Sequence, residues 1–314
     1  MFIQQFNKSF DEIATSVRDV CATKEDVTVT NDNISAMPTH IDEFSEWGFR
    51  SFGQKVGFPA PFLTTLFRDN PTLAENVVSD RLHNYFSNSN TFVARKFNNK
   101  VCGIVSDKYA YFDDDEVMNI LENSALKDLK FTNIITSPER LHLRAIDEAH
   151  PFKVGDDDSE MYFAYFIDNS MVGGSSFRVR LGTFRRACSN GLIIKDKDFV
   201  VCRQAHRGTR SIAETFNENI EFLVQKRDDI IQMLQDSTTA GSAIKELSDE
   251  FQRDYLARKL NASNKEVDVV LEYYNLKYDG ETKYALTNAI TEFAKGINDI
   301  DRREYVESLA LTVS

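Results

Sequence analysis

The side chains best suited to chemistry in this chain are a run of cations. Nine basic residues fall within residues 175–210: Arg178, Arg180, Arg185, Arg186, Lys195, Lys197, Arg203, Arg207 and Arg210. Only Asp196 and Asp198 oppose them, so the stretch carries +7 in a chain of net −12, and everything else sums to −19. Guanidinium forks match phosphate oxygens two at a time, and positive charge gathered this sharply marks a surface for an anion. Strand alternation over residues 175–181 puts Phe177, Val179 and Leu181 on one side and Ser176, Arg178 and Arg180 on the other. On this reading Arg178, Arg180, Arg185, Arg186, Arg203, Arg207 and Arg210 line a nucleic-acid backbone. Phe177 and Phe184, with Tyr165, are then available to stack on bases. The competing reading is that these arginines solubilise exposed strands and pair with the abundant carboxylates. Residues 203–210 form a second cluster just before a helical stretch that Thr209 or Ser211 can cap, where unpaired backbone N–H groups suit a phosphate.

Other chemistries have weaker footing. Arginines beside Cys188 would lower its pKa, with His206 as a base, although no spacing brings the two together. Asp107, the acids at 113–116 and those at 156–158 offer carboxylates for two-metal hydrolysis, without a nuclease spacing. The 113–116 group reads first as the acidic start of a helix that continues through Val117, Ile120 and Leu121, where carboxylates complement the helix dipole. Asn190 and Asn288 read as polar groups that fix a core. The four cysteines form no CxxC pair and the five histidines show no ligand spacing, so neither zinc, a disulfide framework nor a cofactor is expected. No apolar run reaches membrane-spanning length, and residues 1–8 lack the pattern of a secretory leader, so the expected location is the cytoplasm.

The elements that must hold these residues are legible from period and punctuation. Phe6, Phe10, Ile13, Val17 and Val20 predict a helix starting near Ser9, followed by a short strand around 27–30. Helices follow over 43–56, around Phe62 to Phe67, and from Pro71. Residues 91–97 and 101–106 predict a hairpin about Asn98-Asn99-Lys100. Strands are expected over 131–136, 141–146, 161–167 and 175–181, with an interrupted one over 184–194; 161–167 is apolar on both sides and must be covered twice. One long helix is expected over 212–234, then helices over 243–260, 265–274, 283–297 and 301–311. The stripe Ile212, Phe216, Ile220, Leu223 of the long helix either packs on the sheet or zips against a second copy. The fold class is α+β: an antiparallel sheet core flanked by N-terminal and C-terminal helices, organised as a helical region 1–90, a β-rich basic region 91–210 and a helical region 211–314.

Four segments together resemble the phage/plasmid-like protein family described as domain of unknown function 932. They are Gly53-Gln54-Lys55-Val56-Gly57-Phe58-Pro59-Ala60-Pro61-Phe62-Leu63; Val93-Ala94-Arg95 with Gly103-Ile104-Val105-Ser106-Asp107-Lys108-Tyr109; Gly173-Gly174-Ser175-Ser176-Phe177-Arg178-Val179-Arg180 with Arg185-Arg186-Ala187-Cys188-Ser189-Asn190-Gly191-Leu192; and Thr282-Lys283-Tyr284-Ala285-Leu286-Thr287-Asn288-Ala289-Ile290-Thr291-Glu292. Cys188-Ser189-Asn190 in its basic setting is the most specific piece, and Val172 stands where the family often has an acid. The resemblance implies a phage or plasmid setting near replication and recombination genes, and no settled activity. Three classes of function follow as expectations. The first is a non-enzymatic protein that binds nucleic acid, single-stranded DNA above all, in annealing, recombination or replication. The second is an interaction protein that blocks or recruits a host or defence factor. The third is a metal-dependent enzyme acting on nucleic acid.

Overall fold

Helix α1 (Phe10–Cys21) starts where its cap dictates. The Ser9 hydroxyl accepts the Glu12 N–H, and the Glu12 carboxylate accepts the Ser9 N–H in return. The computed structural model describes residues 3–5, 8–37, 40–86, 91–156, 159–185, 190–193, 200–204, 212–278 and 280–314. A short strand β1 (Ile3–Gln5) precedes α1, and β2 (Lys24–Val29) follows it. Helices α2 (Glu46–Val56), α3 (Ala60–Asp69) and α4 (Pro71–Phe86) come next, with proline just before α3 and at the first position of α4. Strands β3 (Phe92–Phe97) and β4 (Lys100–Ser106) close through Asn98 and Asn99, both at positive φ as a tight right-twisted hairpin requires.

These strands form an antiparallel sheet in the order β2-β3-β4. Its β4 edge is closed by α2: the Ser45 N–H donates to Val101 O, and the Ser51 hydroxyl both donates to Ile104 O and accepts the Ile104 N–H. Phe44, Phe49, Phe52, Leu63, Phe86 and Phe92 fill the core between this sheet and α2–α4.

After α5 (Asp114–Glu122) the chain builds a larger antiparallel sheet from β5 (Lys130–Ser137), β6 (Arg140–Phe152), β7 (Met161–Asn169), β8 (Phe177–Arg185), β9 (Asn190–Ile193) and β10 (Val200–Gln204). Its order is β1-β5-β6-β7-β8-β10, with β9 also paired to β8. Strand β7 is buried at every position, as a strand apolar on both faces must be. The helices α6 (Ile212–Gln225), α7 (Arg227–Thr239), α8 (Asp249–Leu260), α9 (Asn264–Glu272), α10 (Lys283–Lys295) and α11 (Ile300–Val313) complete the fold. Phe216, Ile220 and Leu223 of α6 are buried in the main core, with the Phe216 ring 6.2 Å from that of Phe177, so the stripe packs on the sheet.

The class is α+β, as expected. Four details differ from the sequence reading. The helix expected over 212–234 breaks at Lys226, which caps α7. Residues 243–248 are not helical, and α8 begins only at Asp249. The interrupted strand over 184–194 is the end of β8 and the separate β9, and β10 is an addition that no local pattern announces.

Candidate functional site

The face of the larger sheet opposite the main core is where the sequence places its arginine track. Strand β6 sets Arg140, His142 and Arg144 at alternate positions, and the register brings Asp168 of β7 opposite His142 on one side and Arg178 of β8 on the other. Arg180 follows two residues on. This face is covered. Helix α11 carries Asp301, Glu304 and Glu307 at three-residue steps, one side of a helix, and turns them onto the arginines. Arg180 Nη2 lies 2.5 Å from Asp168 Oδ2 and 3.0 Å from Glu304 Oε2. Arg140 reaches Asp301, Glu304 at 3.4 Å and Asp168 at 3.6 Å. Arg144 pairs with Glu307 at 3.1 Å, which also accepts from Arg303 at 3.0 Å, and its guanidinium lies 4.8 Å from the Phe166 ring centroid.

An accessible row of arginines is therefore not what folds. The Arg180 side chain is 13% exposed and Arg178, at 3.7 Å from Asp168, is 33% exposed. Burial alone would raise the pKa of Asp168; the Arg180 guanidinium, with His142 and Arg178, reverses this and holds the carboxyl far below the usual range. Phe177 has no exposed surface, because it packs between Phe112 and Phe216, and Tyr165 is buried with its hydroxyl accepting from Arg227. Neither ring offers a face to a base in this fold. Phe184 is half-buried beside Ile146, Tyr162 and Phe166. Arg185 is half-buried, with Nη2 donating to Ser159 Oγ at 2.9 Å. Arg203 pairs with Arg178 through the β8–β10 ladder. Arg186, Arg207, Arg210, Cys188 and His206 lie outside the described residues.

At the centre of the covered face, one ring nitrogen meets two carboxylates. His142 Nδ1 is 3.0 Å from Asp168 Oδ1 and 3.1 Å from Glu304 Oε1, and ligand atoms of all three residues lie within 4.8 Å of one another. Three electron-rich atoms converging this closely require a positive centre between them. The guanidiniums of Arg140, Arg178 and Arg180 already offset the two carboxylates, so an Nδ1–H donated to Asp168 Oδ1 fits the geometry, whereas a divalent cation would meet three cations at close range. The cluster is incompletely satisfied: Glu304 Oε1, His142 Nε2 and the Nε atoms of Arg144, Arg178 and Arg180 make no hydrogen bond among the described residues. Sequence reasoning did not assemble this cluster. Its signal was present in the alternation of Arg140, His142 and Arg144 and in the acids at 301, 304 and 307.

The acids considered for a two-metal centre do not converge. Asp107 and Asp156 are exposed in separate loops, and Asp157 and Asp158 lie outside the described residues. Asp113 caps α5 and is bound by the fully buried Arg95 through Nη1 at 2.7 Å and by Lys24 at 2.6 Å. Arg95 also clasps Asp26 at 2.9 Å and donates to Met171 O, so it ties the smaller sheet to the β7–β8 loop. In that loop Gly173 turns at φ +81°, and the Tyr109 hydroxyl donates to Ser170 O at 3.2 Å. Asp114 is buried against Asn169, whose Nδ2 donates to it at 2.8 Å. Burial, then the charges of Asp113 and Asp115, push its pKa up to about 8 against that hydrogen bond. Burial also pushes the thiols of Cys21 and Cys102 up, to about 12 and about 11, so neither is a nucleophile near neutral pH.

The model of the family described as domain of unknown function (DUF932) matches residues 101–306, and the chain belongs to that family. No curated protein and no solved structure matches it. Within the matched span, the segments that carried the resemblance come together at two places. Gly103 to Tyr109 and Gly173-Gly174 meet at the joint between the sheets. Thr183 and Arg185 of β8 meet Thr287, Asn288 and Thr291 of α10 around a cleft.

Proposed function

We propose that this member of the family binds nucleic acid, single-stranded DNA foremost, along the edge of its larger sheet rather than on the sheet's flat face. The observation that supports this is the path of the basic stretch. Residues 185–210 hold seven basic side chains, Arg185, Arg186, Lys195, Lys197, Arg203, Arg207 and Arg210, against Asp196 and Asp198. Two described segments of this stretch pair with one strand: β9 with residues 182–185 of β8 and β10, which carries Arg203, with residues 177–180. In sequence the stretch holds a surplus of five positive charges in a chain that is acidic elsewhere, with Arg186, Lys195, Lys197, Arg207 and Arg210 themselves outside the described residues. Arg178 and Phe184 sit beside this edge, while Arg180 and Phe177 serve the scaffold beneath it. Binding would rest on backbone neutralisation, in the annealing, recombination or replication setting that a phage or plasmid origin implies.

The test is fluorescence polarisation with a labelled single-stranded oligonucleotide across a salt series. Log affinity should fall with log salt, and Arg203→Ala/Arg207→Ala/Arg210→Ala should weaken binding and flatten the slope by roughly 2, about 0.7 for each phosphate no longer neutralised. No binding at low salt, or a triple variant that binds as wild type, would remove the reading. A protein partner, such as a host or defence factor, is the second reading, supported by the −19 carried outside residues 175–210. It predicts a stoichiometric partner that survives nuclease treatment.

A further inference from the structure

We infer that the surface of α2–α4 along Lys55, Tyr85, Arg81, Phe58 and Phe62 is a second contact surface for a single strand of nucleic acid, on which an unpaired base stacks. The local chain builds it. Helix α2 ends at Gly57, whose φ of +78° suits glycine, and Pro59 directly precedes α3. Phe58 is therefore held between two helix ends, and Phe62 follows on the first turn of α3. Their ring centroids stand 5.3 Å apart with the planes at 33°. From α4, the Arg81 guanidinium lies 5.3 Å from the Phe58 ring centroid, and Tyr85 follows one turn on. The Lys55 ammonium, at the end of α2, lies 5.9 Å from the Tyr85 ring centroid. Cations and rings thus interleave across three helices.

Two properties set this surface apart from ordinary packing. Phe58 and Tyr85 are half-buried against the smaller core, which fixes their rings, whereas Phe62 beside them is 49% exposed. The cations, moreover, are not engaged by carboxylates. The side chains of Arg81 and Lys55 make no ion pair and no hydrogen bond among the described residues. The arginines of the larger sheet differ, being clamped by Asp168, Glu304 and Glu307. Acids in the neighbourhood do not change this: Asp80 accepts from Asn84 at 3.2 Å, and Asp107 acts on Lys55 through space without pairing. Burial pulls the Lys55 ammonium below its ordinary value against the charge of Asp107, and an arriving phosphate would offset that. An exposed ring layered on a fixed one accepts a further flat group, and cations at its margin accept phosphates. A single strand brings both together, because its bases are free to stack while its backbone stays charged. This surface shares only the class of ligand with the sheet-edge reading, and none of its residues.

Fluorescence polarisation of the whole chain with a labelled single-stranded oligonucleotide, and with an abasic strand of equal length, tests this. Phe62→Ala should weaken binding of the base-bearing strand by about tenfold, within what one stacked base contributes, and leave its salt slope unchanged. On the abasic strand the same variant should change nothing. Phe62→Tyr keeps the ring and should bind as wild type. Because Phe62 is on the surface, neither variant should shift Tm, which a thermal melt checks. Lys55→Gln/Arg81→Gln should instead flatten the slope of log affinity against log salt by roughly 1.4, about 0.7 for each phosphate no longer neutralised. Equal loss with base-bearing and abasic strands would make Phe62 a scaffold residue and overturn the inference, as would Phe62→Ala binding like wild type. A wild type that binds neither strand at low salt would remove this surface and the sheet edge together. Otherwise the two fail separately. Loss in Arg203→Ala/Arg207→Ala/Arg210→Ala with none in Phe62→Ala removes this surface and keeps the sheet edge, and the converse keeps this surface and removes the edge.

Discussion

Arg178 and Arg180 stand two residues apart on the same face of the same strand, yet their surroundings differ enough to assign them different roles. Arg180 places one nitrogen on both Asp168 and Glu304, and all three are largely withdrawn from water. Removing one partner of a buried ion pair leaves the other charges desolvated, which typically costs about 3–5 kcal/mol. Arg180→Ala should therefore lower the urea midpoint severely. Arg178, more exposed and at a longer separation from Asp168, should cost about 1 kcal/mol or less as Arg178→Ala. Similar losses from the two variants would show that the covering by α11 does not hold in solution. The alternation that pairs these arginines on one face was legible from residues 175–181 alone. What covers that face was not, because Glu304 and Glu307 lie more than a hundred residues away and nothing local ties them to the strand. The same distance hid His142, Asp168 and Glu304, each an ordinary polar residue in its own segment.

Elements were legible best where a cap or a turn announces them. The Ser9 start of α1, the Asn98-Asn99 hairpin and the acid-rich start of α5 all follow from local chemistry. Strand β10 and the break at Lys226 carry no such mark. Five residues show little period, and the apolar stripe runs through the break unchanged. Helix α5 carries a consequence that its sequence hides. Its first residue, Asp114, looks like one more acid favoured by the helix dipole, but it is buried with a pKa pushed up to about 8. Between the ordinary value of 3.8 and about 8 the folded protein holds this proton and the unfolded chain does not. Stability contributed by the protonated form is thus complete at low pH and declines as pH rises through that window. Asp114→Asn keeps an acceptor for Asn169 and removes the titration. Its stability relative to wild type should grow from pH 5 to pH 8 by on the order of a few kcal/mol. Urea unfolding at the two pH values decides it, since a constant difference would mean that Asp114 does not titrate in this range.

For the whole molecule, the question is what makes two sheets with two cores behave as one. The smaller core lies among α2–α4 and β2–β4, the larger between the main sheet and the remaining helices. They meet where Phe97 and Cys102 pack against Met171 and Val172, next to the Arg95 clasp. Gly103 to Tyr109 and Gly173-Gly174 are separate motifs along the chain, and only the fold shows that they are two sides of one joint. Gly103 is the tightest point. A Cβ there would stand 2.4 Å from Val172 Cβ and 3.1 Å from Val172 O, and neither a Cβ nor a backbone oxygen can swing aside. Gly103→Ala should push the β7–β8 loop off β4 and strain the Arg95 and Tyr109 bonds to Met171 O and Ser170 O, while leaving both cores filled. In calorimetry the wild type should then melt in one transition. The variant should show two, with the smaller sheet and α2–α4 melting first. If the variant melts in a single transition at an unchanged Tm, the packing of Val172 on Gly103 is not what couples the sheets. A single transition displaced downward as a whole would assign the coupling to the Arg95 clasp, which Arg95→Lys, lacking the fork that spans Asp26 and Asp113, should then break.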